Sequence, residues 1–125
     1  MEYICNEYGQ FKCVECADAV WQECEALGLA AEYLKIDTPG ERGNEKPLKL
    51  NWGLYGTLTD VTLASWMKTD RIDRSVSEAT LHYGVDVNGV VYDNVFPCGI
   101  ARSAWENIFC SLLELNVGVV KSTGR

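Results

Sequence analysis

The sequence predicts an α+β domain in which an N-terminal helix packs on a small antiparallel sheet. Three features carry the prediction: helical spacing from Cys13 to Leu27, a strand-like AEYLKI at residues 31–36, and the segments TLHYGVDV and VVYDNV flanking Asn88-Gly89. With an irregular insert before the pair and a second helix after it, the order is helix, strand, insert, hairpin, helix, which suits antiparallel α+β packing. The 125 residues make one domain, 1–125, and 47% of them are hydrophobic, enough for a core that needs no covalent staples.

In the first helix Cys13, Cys16, Ala17, Val20, Cys24 and Leu27 are apolar or small. Glu15, Asp18, Gln22, Glu23 and Glu25 are polar, and Gly28 supplies the stop. The polar segment TPGERGNEKPLKLN (38–51) contains both Pro and Gly and reads as a surface loop. Residues 52–74 mix aromatic, β-branched and charged types with no clean period, so helix and strand both stay open there. Asn-Gly between two apolar runs is the strongest short-range signal for a two-residue hairpin turn. After Pro97 and Gly99, IARSAWENIFCSLLEL (100–115) reads as a second amphipathic helix.

The charge narrows the classes of partner. With 18 acidic against 11 basic residues the net charge is −7, which disfavours nucleic acid and anionic membrane surfaces and leaves a protein or peptide partner. The start, MEYICNEY, has no basic flank followed by an apolar run, and no stretch approaches the roughly 18 apolar residues of a membrane span. A cytoplasmic setting is expected, so the 6 cysteines are expected as thiols. Cys13-x-x-Cys16 is half of a zinc or dithiol motif, but no second half follows, so neither a metal nor another cofactor is expected.

The hairpin brings chemistry together. With Asn88 and Gly89 as the loop, Val87 sits opposite Val90 and Gly84 opposite Asp93. Alternation then puts His82, Gly84, Asp86, Val91, Asp93 and Val95 on one face and Leu81, Tyr83, Val85 and Val87 on the other. His82, the only histidine, becomes a diagonal neighbour of Asp93, about 7–8 Å away between backbones and within side-chain reach. A carboxylate-held imidazole keeps one tautomer and can take a proton from a nucleophile. A thiol at a helix N-terminus is suited to be that nucleophile, because backbone N–H groups and the helix dipole stabilise thiolate and oxyanion alike. Cys13 opens such a helix.

These residues resemble a known group. Cys13 to Tyr33, with C-x-x-C-A, then L-G-L, then A-x-Y, is similar to the core of the papain-like and transglutaminase-like superfamily. CVECA (13–17), His82, Asp93-Asn94, Pro97 and Gly99 resemble, in order and spacing, the bacterial papain-fold toxin domains. The resemblance implies a papain-like/transglutaminase-like core with Cys13 as nucleophile, His82 as base and Asp93 as orienting residue. Cys16 is the rival nucleophile, because papain-type enzymes use the second cysteine of such a pair. Ala17, four residues after Cys13, favours Cys13 by analogy with the transglutaminase core. Gln10 is a candidate oxyanion donor, at a spacing unlike papain's. Glu78-Ala79-Thr80-Leu81 stands where the family pattern has Gly or Asn-Gly before the histidine.

The resemblance further implies a cysteine-dependent hydrolase of protein amides, a peptidase or a glutamine deamidase, with cross-linking by the same residues. It also implies a toxin or effector domain delivered into a target cell as part of a larger protein, a protein substrate there, and a cognate immunity protein as partner. Two other classes stand beside it: a metal- or redox-binding cysteine protein, and a non-catalytic protein-binding module of the same fold.

Overall fold

The structure, a computed structural model, describes residues 2–5, 12–37, 48–59, 61–64, 75–77, 81–110 and 115–123. Helix α1 spans Glu2–Cys5 and α2 spans Cys13–Leu27. The stop of α2 is the expected one: Gly28 takes the left-handed conformation (φ 69°) and its N–H reaches the Glu25 carbonyl, while Leu29 N–H reaches that of Cys24. Strand β1 follows over Ala31–Asp37, one residue longer than AEYLKI.

The segment expected as one surface loop is more ordered at its end. Leu48–Leu50 is strand β2, with Leu48 and Leu50 buried and Lys49 exposed. That is the period-two alternation of a half-buried strand, hidden in the sequence by the Pro- and Gly-bearing residues before it. Residues 38–47 of the expected loop lie outside the described residues. In the stretch left open, α3 covers Trp52–Tyr55, capped by the Asn51 side chain, which accepts from Leu54 N–H; residues 65–74 lie outside the described residues. A short β3 covers Ser75–Ser77.

The hairpin has the expected register. Strands β4 (His82–Val87) and β5 (Val90–Tyr92) pair Val87 with Val90, Asp86 with Val91 and Val85 with Tyr92. Asn88 and Gly89 both have positive φ, as the two-residue turn requires. The turn is pinned from outside. Asp86 accepts from Gly89 N–H at 2.6 Å and from Arg102 at 3.0 Å, and Arg102 also binds Glu32 and Glu106.

The second helix is shorter than the periodicity of 100–115 suggested. Ile100–Ala101 is strand β6, α4 spans Arg102–Ile108, and Phe109–Cys110 turns extended as β7 to pair with β2; residues 111–114 lie outside the described residues. Pairing with β2 overrides local helix propensity at Phe109, whose backbone is at φ −94° and ψ 152°. A strand that the sequence analysis did not anticipate, β8 (Asn116–Ser122), adds to the free side of β1.

Among the described residues the antiparallel main sheet has the order β6-β5-β4-β1-β8, and a smaller one has β3-β2-β7. Helix α2 lays Cys16, Ala17, Val20, Trp21 and Cys24 against Ala31, Tyr33 and Val85. The opposite core gathers Leu34, Ile36, Leu48, Val91, Phe96, Trp105 and Phe109. Among the described residues no helix is long and apolar enough to cross a membrane.

Candidate active site

Cys13 is the first residue of α2, and its position there is unusual. Lys12, the capping residue, offers no side-chain hydrogen bond, and the first helical bond is Cys16 N–H to the Lys12 carbonyl at 3.0 Å. The amides of Cys13, Val14 and Glu15 therefore precede the helix's own ladder and point off its positive end. Cys13 is only 6% exposed.

His82 opens β4 opposite Ile36 of β1 and is completely buried. Its ring lies 4.8 Å from that of Phe109 and 6.0 Å from that of Trp105, centroid to centroid. Asp93, also fully buried, follows directly after β5. There the chain leaves the ladder, so His82 and Asp93 meet just past its end. The imidazole Nε2 is 2.7 Å from Asp93 Oδ2. The other carboxylate oxygen accepts from Val95 N–H at 2.9 Å and Phe96 N–H at 2.6 Å, a local turn of the kind Asp favours.

A group that sequence reasoning missed completes the cluster. The indole Nε1–H of Trp105 donates to the same Oδ2 at 2.7 Å. The opening left by Gly84 is filled by this ring: a Cβ on Gly84 would stand 3.0 Å from Trp105 Cζ2 and 2.8 Å from Val91 Cγ1. The signal available was a tryptophan on the helix after the hairpin, since a buried indole N–H needs an acceptor.

The electrostatics follow from these contacts. Burial works against a charged His82, but the charge and hydrogen bond of Asp93, helped by Cys13, outweigh it and push the imidazole up to about 9. Burial also works to raise Cys13; the hydrogen bond and charge of His82, with the backbone of Tyr83, outweigh it and bring the thiol below its ordinary value. Among the described residues His82 Nδ1 is buried without a hydrogen-bond partner, so the hold of the imidazole on the Cys13 thiol is looser than its bond to Asp93. Such looseness is common before substrate arrives.

Cys16 is placed differently. It is fully buried, its thiol shares a hydrogen bond with Cys5, and that bond together with burial raises it far above the ordinary thiol range. Gln10 and Glu78-Ala79-Thr80 lie outside the described residues. Cys98 and Cys110 are exposed, and Cys24 is buried on the inner face of α2. Among the described residues no group of three or more His, Cys, Asp or Glu side chains is arranged to hold a metal.

A family model described as papain fold toxin 2 matches residues 1–110. The chain belongs to that family. The papain-fold match takes in everything from α1 to β7, including Cys13, His82, Asp93 and Trp105, and stops short of β8. Neither the curated proteins nor the solved structures compared with this papain-fold toxin domain gave a match.

Proposed function

We propose that the domain is a cysteine-dependent hydrolase of protein amides, with Cys13 as nucleophile, His82 as general base and acid, and Asp93 as the residue that orients His82. The observation that carries the reading is the 2.7 Å bond between His82 Nε2 and Asp93 beside a thiol lowered by the same imidazole. Asp93 takes the Nε2 proton as its bond, which leaves Nδ1 to face Cys13 and exchange a proton with it. The opposite fates of Cys13 and Cys16, one lowered by His82 and the other raised by Cys5 and burial, support Cys13 over its neighbour.

In this reading the Cys13 thiolate attacks a carbonyl carbon, and the developing oxyanion is met by the amides that precede the helical ladder at the start of α2. The imidazolium gives its proton to the departing nitrogen as the C–N bond breaks, leaving a thioester on Cys13. Water, deprotonated by His82, then releases the acid and restores the thiol. A main-chain amide makes the reaction proteolysis; a glutamine carboxamide makes it deamidation. Family membership supports a toxin acting on a protein of the target cell, with an immunity protein as its partner.

The test is expression of the wild type beside Cys13→Ala in a bacterial host, followed by mass spectrometry of host proteins. New termini or the unit mass gain of deamidation, present with the wild type and absent with Cys13→Ala, is the expected result. Identical host proteomes in the two cultures, with growth equally affected, would favour a non-catalytic module instead.

A further inference from the structure

We propose that Trp105 is a positioning residue of this site: its indole N–H, bound to the Asp93 oxygen that also holds His82, takes up part of the carboxylate's charge and sets how tightly the imidazole keeps its proton. The inference rests on the roles given above to Cys13, His82 and Asp93.

Orientation alone does not require the indole. Asp93 Oδ1 is already held by the Val95 and Phe96 amides, which fix the plane of the carboxylate. What Trp105 adds is a second donor on Oδ2, at the same 2.7 Å as His82 Nε2. Asp93 is wholly buried, so among the described residues its charge is shared by these donors, and each donor removed throws more of it on the rest. Without the indole, Oδ2 would bind the imidazolium alone. A proton held too tightly is poorly given to a leaving amine, so the shared oxygen tempers His82 toward working pH.

The surroundings leave this indole as the adjustable donor. From α2, the titratable groups that sense Asp93 are the Cys13 and Cys16 thiols. From β1, Ile36 stands opposite His82, and from β7, Phe109 packs on its ring. The ions Glu32, Asp86 and Arg102 gather at the other, turn end of β4. Trp105 itself is edge-on to Phe109, at 5.8 Å and 82°, and seated in the space that Gly84 leaves.

The experiment replaces Trp105 with 3-benzothienylalanine, whose ring matches indole in shape but has sulfur in place of N–H, and follows the His82 ring protons by NMR. As the chain has 1 histidine, the signal is unambiguous. The His82 titration should move upward by about one pH unit, since a hydrogen bond to a charged group has been removed from the shared oxygen. A titration that stays in place, or moves down, would overturn the proposal and reduce Trp105 to packing. A companion measurement needs only the wild type: the Trp105 indole proton should shift through the same pH range as His82, and indifference to that titration would equally overturn it. Neither readout depends on turnover. An inert Cys13 would defeat the catalytic reading while the role of Trp105 is still decided by His82.

Discussion

Replacing Asp93 by Asn changes one atom, yet the geometry predicts damage to both stability and reactivity. Among the described residues the carboxylate accepts from four donors: His82 and Trp105 on Oδ2, Val95 and Phe96 amides on Oδ1. If the amide oxygen keeps the two backbone donors, its NH2 meets the Trp105 N–H and His82 Nε2 must accept. If the oxygen turns to His82 and Trp105, the NH2 confronts both backbone amides instead. The first arrangement strands one buried donor and the second two, at about 1–3 kcal/mol each, so a loss of about 2 kcal/mol in the better orientation is expected. That orientation also puts the ring proton on Nδ1, facing Cys13, where it cannot receive the thiol's proton. Turnover should fall by about 10²–10⁴-fold, with slower Cys13 alkylation near neutral pH alongside it. Urea denaturation and iodoacetamide kinetics on the same preparation measure both. A variant as stable as the wild type and equally reactive at Cys13 would refute this account of Asp93.

Gly84→Ala places a methyl 2.8 Å from Val91 Cγ1 and 3.0 Å from Trp105 Cζ2; it should cost about 1–3 kcal/mol in thermal or urea denaturation, and an unchanged midpoint would contradict the packing described. Cys16→Ala removes the hydrogen-bond partner of Cys5 and should lower stability while leaving Cys13 reactivity intact; loss of that reactivity in a folded variant would move the nucleophile to Cys16. The pH dependence has a definite sign. Folding raises His82 from 6.5 to about 9, so across that window the folded state holds more protons, and stability, full below 6.5, falls as pH rises. Cys13, lowered on folding, titrates in the opposite sense. In Cys13→Ser that offset is gone, while Asp93, the larger raising influence on His82, remains. The denaturation midpoint of Cys13→Ser should therefore decline as pH rises above 6.5, and a flat profile would exclude an imidazolium held by Asp93.

Much of this arrangement was readable from the chain because its signals are local. The α2 span with its Gly28 stop, and the Asn88-Gly89 turn with its register, are short-range patterns, and the meeting of His82 with Asp93 follows from the turn alone. The parts that escaped depend on partners far along the chain. Phe109 is extended because β2 waits for it, and Leu48 and Leu50 form a strand because they have that partner. β8 is a mostly exposed edge strand with little apolar alternation to reveal it. Trp105 escaped for the same reason: its acceptor is fixed only once α4 has folded back over the hairpin. That omission matters for function, since the second donor on Oδ2 is what makes Asp93→Asn costly to the fold.

The central claim is that His82 activates the thiol at the start of α2, and peptide mapping after limiting iodoacetamide at pH 7 tests it most directly. Ordinary thiols are only a few per cent ionised there, and Cys13 is 6% exposed whereas Cys98 and Cys110 are open to solvent. Accessibility therefore favours the wrong residues, and only activation can reverse the order. Cys13 carrying the first label, and losing that priority in His82→Ala, is the predicted result; Cys98 or Cys110 labelled ahead of Cys13 in the wild type would contradict the account.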